Sequence, residues 1–258
     1  MKRRLQNITS KFIPISAIVA IIAAWQVVAM LEIIPHFMLP GPVDVAIAFV
    51  TDFQLLMIHA RTTVVEALIG LAIGTALGFV CAVLMNHFKG FYKAFYPIVV
   101  ITQTIPTVAI APLLILWLGY AMAPKIVLVI ITAFFPITVG LLEGFSSVDK
   151  EAESLFRAMG AKPAQIFRYM KMPATLGEFF SGLRISAAYS IVGAVVAEWL
   201  GGYNGLGVYM MRVKKSYSYD KMFAVIVLIS LISLLLMWGL GKVQKALMPW
   251  ERTKSKEE

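Results

Sequence analysis

Charge is scarce in this sequence. Lys, Arg, Asp and Glu make up 14% of its 258 residues while apolar residues make up 60%, against about a quarter charged in an ordinary soluble domain. With a mean hydropathy of +0.83, a chain of this size lacks the polar surface to cover a water-soluble core. Cysteine is almost absent: Cys81 stands alone inside "GFVCAVLMN", which excludes an intramolecular disulfide. Histidine occurs three times, as His36, His59 and His87, far apart and without Cys or His at ligand spacing, so no metal site is expected. No G-x-x-x-x-G-K-S/T phosphate loop occurs, which removes that route to ATP binding. No cofactor site and no enzymatic cluster of His, Asp, Glu or Ser is evident either. The net charge of +9 is accounted for by basic loops beside membrane spans rather than by a nucleic-acid partner. The composition is that of an integral membrane protein, with the lipid bilayer as its surroundings.

About 20 apolar residues cross the hydrocarbon core, and the gaps between charges predict six helical spans. They cover residues 12–31, 67–85, 94–118, 126–142, 174–200 and 222–241, in one all-α membrane domain over residues 1–258. The first follows "MKRR", but its apolar stretch is long and no small-residue cleavage site follows it, which reads as a retained helix. Six spans place both ends on one side. That side receives 16 of the 23 Lys and Arg residues, the other six, with Arg184 inside a span; the excess makes the termini cytoplasmic. The cluster from Arg212 to Lys221 runs against the rule locally.

Between spans four and five, residues 149–173 then form a cytoplasmic loop, including "RAMGAKPAQIFRYMKMP". Its punctuation predicts two short helices. Asp149 is placed to cap the first, with Glu151 and Glu153 in its positive first turn. Gly160 suits the left-handed position past its end. Pro163 suits the start of the second, and Pro173 is expected to stop it. Leu155, Phe156 and Met159 recur at helical spacing, as do Ile166, Phe167 and Met170. Such apolar faces in a water-facing loop either pack on the bilayer or on the protein's own helices, or dock a cytoplasmic partner.

The spacing of Gly160 and Pro173 before a span resembles the "EAA" loop of binding-protein-dependent ABC importer permeases. That pattern is Glu-Ala-Ala, three residues, Gly, nine residues, Ile, one residue, Leu-Pro. Here Ser154, Leu155 and Phe156 stand at the first three positions, and Met170 and Met172 at the Ile and Leu. "LPGPVDVAIAF", "TIPTVAIAPLLILWLGYAMAPKI", "FRYMKMPATLGEFFSGLRISAAYS" and "AEWLGGYNGLGVYM" resemble stretches of the nitrate, sulfonate and taurine permease branch. The likeness covers nearly the whole chain.

The resemblance implies a translocation subunit in a bacterial inner membrane, paired with a second permease copy as a homodimer. It implies two copies of a separate ATP-binding subunit and an extracytoplasmic solute-binding protein. The solute would be small and polar or anionic, of the nitrate, sulfonate, taurine or thiamine-pyrimidine-precursor type. Ser154, Leu155, Phe156, Arg157, Met159, Gly160, Ala161 and Pro173 would form the surface that couples to the ATPase. An ion-coupled secondary transporter or a channel subunit is the alternative; the former calls for inverted repeats and mid-membrane coupling residues, and no internal repeat is found.

Within the spans, ionisable residues are functional candidates by default. Glu66 begins span two and is either interfacial or in the pathway. Arg184 and Glu198 lie fourteen residues apart on span five, about 21 Å along a helix, too far to pair. Arg184 reads as a snorkelling residue near the inner boundary, and Glu198 as either an anchor for the outer loop or a solute contact. Gly70, Gly74 and Gly78 share one face and predict close helix packing. Pro97, Pro106 and Pro112 in span three free carbonyls that need protein or water partners. Gln103, Thr104 and Thr107 beside them are therefore candidates for lining the pathway, or for gluing helices together.

Overall fold

The computed structural model describes the backbone of residues 2–250 and the side chains of residues 13–250. Every regular element among them is helical: α1 (Lys2–Met30), α2 (Pro42–Thr51), α3 (Phe53–His87), α4 (Lys89–Thr104), α5 (Thr107–Leu118) and α6 (Ala123–Ser146) come first. After them come α7 (Lys150–Ala158), α8 (Pro163–Ile166), a π turn (Phe167–Lys171), α9 (Met172–Leu200), α10 (Leu206–Lys215) and α11 (Tyr219–Leu247). Five helical stretches are long and apolar enough to cross a membrane, and the α4–α5 pair makes a sixth if it counts as one span.

Three departures from the expected spans have physical causes. Span three is broken: α4 and α5 meet at 99°. Pro106 lacks an N–H and drives the residue before it out of the helical region, and Ile105 is indeed extended, with φ −85° and ψ 120°. Span two begins fourteen residues before its expected start, at Phe53. Arg61 and Glu66 ended the apolar run in the sequence, yet the helix passes through them because Glu66 is paired inside the protein. Pro173, expected as a stop, lies instead in the first turn of α9. The wider spacing of the π turn, where the Met172 N–H bonds back to the Phe167 carbonyl, carries the helix over a residue that has no donor of its own.

The chain divides into two compact units. One comprises the chain up to Ile58 together with Tyr209–Leu228. Its small core sets Val45 and Ala48 of α2 against Ala224, Trp25 and Phe223, and Asp52 accepts from the Tyr209 hydroxyl and pairs with Lys221 at 2.8 Å. Large apolar residues along α1, among them Ile18 and Ile21, stay exposed, as a lipid-facing helix requires.

The other unit comprises His59–Val208 and the chain from Ile229 onward, and α6 is its axis: Leu128, Val129, Ala133 and Ile137 are fully buried. The glycine stripe of α3 is a packing surface. A Cβ added at Gly70 would lie 2.5 Å from Val129, and one at Gly74 3.1 Å from Ala133. On the other side of α6, a Cβ at Gly182 of α9 would meet the Pro136 carbonyl at 2.5 Å. Small residues let these backbones approach where lipid offers no hydrophobic drive for helix association.

Candidate functional site

Three polar features interrupt the apolar body of the larger unit. The first is the segment 149–173. Asp149 Oδ1 accepts the Glu151 N–H at 2.8 Å, capping α7. Gly160 follows the end of α7 with φ +84°. There the Ala161 N–H reaches the Phe156 carbonyl and the Gly160 N–H the Arg157 carbonyl, each at 3.0 Å, a Schellman closure of the helix. Pro163 opens α8, and Gln165 Oε1 accepts the Lys162 N–H at 2.8 Å. Glu153 holds the piece to the following helix, pairing with Arg157 at 2.6 Å and Lys171 at 3.0 Å. Those two hydrogen bonds, Arg157 first, keep its carboxyl below the usual glutamate range against the opposing effect of burial.

The two apolar faces of this segment differ. Ile166 is buried, and Phe167 packs on Phe145 of α6 with ring centroids 5.6 Å apart, so the second face is satisfied within the protein. On α7, Leu155 is 61% exposed, Phe156 37% and Met159 77%. Ser154, beside them, turns its hydroxyl back to the Lys150 carbonyl at 2.9 Å.

The second feature is a groove beside the α4–α5 break. Two adjoining cavities of about 260 and 330 Å³ share Gln103 and Tyr189 in their walls. Thr102, Thr107 and Thr132 line the first; Ser181, Glu143 and Glu178 line the second. Gln103 and Thr107 are therefore brought together, by the very break that separates their helices. Thr104 lies outside these walls, exposed, with its hydroxyl on the Ile101 carbonyl at 2.8 Å, and Glu198 does not line the groove.

Glu198 belongs to the third feature, a buried polar cluster. His59, Thr63 and Glu66 follow one another at four and three residues along α3, on a single helix face. Thr63 donates to Glu198 Oε1 at 2.7 Å, and the Gly207 N–H donates to Oε2 at 2.6 Å. The Leu206 N–H reaches Thr63 Oγ1 at 2.8 Å, and the Gly205 N–H reaches His59 Nδ1 at 3.0 Å. Lys125 of α6 closes the cluster on Glu66 at 3.1 Å, with side chains 4% and 0% exposed. The "GGYNGLG" turn is thus tied by its backbone N–H groups to two spans. Of the two readings of Glu198, the anchoring one describes these bonds.

Sequence reasoning passed over His59, Thr63 and Lys125. The first two had a visible signal in their spacing with Glu66, while Lys125 lay in a predicted loop. Arg184 is also held within the bundle, by a hydrogen bond to Gln244. Among the described residues no group of three His, Cys, Asp or Glu forms a metal site.

Comparison with known proteins bears on the chain as a whole. A family described as "Binding-protein-dependent transport system inner membrane component" matches residues 74–248. The formylaminopyrimidine transport permease protein ThiX of Halalkalibacterium halodurans is 33% identical over 98% of this chain and 99% of its own. The taurine transport system permease protein TauC of Escherichia coli is 27% identical over 92% and 88%. Among solved structures, an inward-facing form of the MetNI methionine ABC transporter matches with a TM-score of 0.67. Identity there is 20%, over 76% of this chain and 97% of the matched one, a likeness of fold.

Proposed function

The chain belongs to the family of binding-protein-dependent transport system inner membrane components, and from that premise we propose that its segment 149–173 is the handle on which a separate ATPase pulls. The protein is the membrane permease subunit of an ABC importer for a small solute. ATP hydrolysis falls to a partner subunit present in two copies, and a second permease copy completes the pathway as a homodimer. An external binding protein delivers the solute, and both termini lie in the cytoplasm of a bacterial cell.

The observation that carries this reading is the exposed face of α7. Leu155, Phe156 and Met159 stand out from a helix capped at both ends, which is rigid enough to transmit force and apolar enough to require a cover. The helix continues from Pro163 through the π turn into span α9, so displacement of the segment moves a span that walls the groove. Gly160 sets the bend and Ala161 closes it, and Pro173 sits where the push enters the membrane. Arg157, paired with Glu153, braces the helix behind the docking face.

The groove of Gln103 and Thr107 is the pathway surface in this reading, closed by the second copy. No Lys or Arg is among its described lining residues, and Glu143 and Glu178 stand at one end. That charge favours a neutral or amine-bearing solute of the pyrimidine-precursor type over nitrate or a sulfonate.

Capture of the ATPase subunit by the tagged permease tests the coupling role. Wild type retains it, and Gly160→Asp, which forces a side chain onto a backbone at φ +84°, loses it while remaining folded. An Asp variant that retains the ATPase at the wild-type level would count against the segment as the handle.

A further inference from the structure

A cavity of about 600 Å³ lies between the end of α3 and the inward side of the segment 153–171, and none of the roles above uses it. Its walls divide by chemistry. Val83, Ile166 and Phe167 form an apolar floor, while Arg157, Lys162, Lys171 and His87 form the rim. Glu153 is the acid of the lining, and it is already shared between Arg157 and Lys171. Arg157, Lys162 and Lys171 facing that one carboxylate leave a surplus of two positive charges.

The position of the cavity narrows what such a rim would hold. The apolar stretch of α3 ends at His87 and α9 begins at Met172, so the rim stands at one membrane boundary, at the depth of lipid phosphates. Val83, one turn further into α3 than His87, stands at the depth where acyl chains begin, and Ile166 and Phe167, on the turn before Lys171, continue the apolar surface beside it. Cationic pockets between spans at this depth suit anionic headgroups. A docked ATPase would leave the space open: Glu153 and Arg157, one turn apart, face the cavity, whereas Leu155 and Met159 project from the opposite side of α7.

We propose that this cavity is a binding site for an anionic glycerophospholipid. The phosphodiester sits on Arg157, Lys162 and Lys171, and the first methylenes of its chains lie on Val83, Ile166 and Phe167. A lipid there would brace the ion pairs that hold α7 to the following helix, and the charge of the inner surface would then influence the stiffness of the segment.

The test titrates the full-length protein in neutral detergent with phosphatidylglycerol or phosphatidylcholine of identical chains, counting retained lipids by native mass spectrometry. Phosphatidylglycerol is expected to bind at least tenfold more tightly. At about fivefold per cation removed, Lys162→Gln with Lys171→Gln is expected to weaken it roughly 30-fold. The corresponding double Arg variant retains binding, and Lys242→Gln, on α11 over the Trp238 ring, leaves it unchanged. Equal retention of the two lipids overturns the proposal, as does a Gln variant that binds like wild type or a Lys242→Gln loss of the same size. Inorganic phosphate that displaces the lipid at equal concentration assigns the site to a free anion and overturns it too. Should the Gln variant fail to fold, the wild-type headgroup comparison decides alone.

Discussion

Replacing Lys125 with Met should be among the most damaging single substitutions in the protein, and replacing its partner at the same time should undo most of the damage. Lys125 Nζ lies 3.1 Å from Glu66 Oε1, and the two side chains are 4% and 0% exposed. Loss of Lys125 removes the cation and the donor that Glu66 Oε1 holds. Removing one member of such a buried pair costs about 3–5 kcal/mol, whereas exchanging both members for apolar residues of similar volume is near neutral. For a chain of this length each kcal/mol moves the unfolding midpoint by about 2–4 °C, so Lys125→Met should lower it by about 6–20 °C. Adding Glu66→Leu should recover most of that. Thermal unfolding of the purified protein, followed by near-ultraviolet circular dichroism over the full double-mutant cycle, reads both numbers. A shift under 2 °C for the single variant, or a double variant lower than the sum of the singles, refutes the reasoning.

Gly205→Ala should disrupt the same cluster from the loop side, since φ is +128° there and a Cβ would meet the Glu198 carboxyl carbon at 2.2 Å. Loss of midpoint and faster proteolysis at residues 201–207 would register it. Gly160→Ala should be mild by comparison, about 1 kcal/mol from backbone strain alone, because nothing lies within 4 Å of the added carbon; a shift above about 8 °C would point to contacts absent from this structure. Leu155→Glu combined with Met159→Glu should leave the unfolding midpoint unchanged, both positions being exposed, yet reduce retention of the ATPase at least tenfold in a pull-down. Acidification should loosen α7. The folded Glu153 carboxyl lies below its ordinary value of 4.5, so its pairs stabilise the segment above that value and are lost as pH falls through the lower folded one. Hydrogen exchange at residues 150–171 should rise across that window in wild type and stay flat in Glu153→Gln.

What could be read in advance depended on how local its cause was. Asp149, Gly160 and Pro163 act on backbone groups within a few residues, and each stands where its chemistry suggested. The glycine stripe of α3 was equally legible, because close packing needs only a missing side chain every four residues. Pro106 signalled trouble in span three but not its extent, since a proline inside a helix yields either a kink or a break. The outcome depends on whether the flanking pieces find separate partners; Ala111 and Leu114 of α5 do, against Leu128 and Ala197. The buried cluster was the least visible. Thr63 meets Glu198 across 135 residues and Glu66 meets Lys125 across 59, and no local pattern encodes which chain segments will face one another. Counting Lys125 as a loop charge followed from the same limit: a lysine paired within the bundle and one in water look alike in a string of letters. Among the two apolar faces of the segment 149–173, only the structure could separate Ile166, covered by the protein itself, from Met159, which is not.

The account rests on α7 meeting an ATPase, and the lone cysteine makes that contact directly measurable. Met159 is 77% exposed in the isolated permease, so in a Cys81→Ser background Met159→Cys should label readily with a maleimide. In the assembled transporter it should be protected and should cross-link to the ATP-binding subunit through a short thiol-reactive linker. Continued free labelling in the assembled, transport-competent complex, with no cross-link, would contradict the claim that this face is where the motor holds the permease.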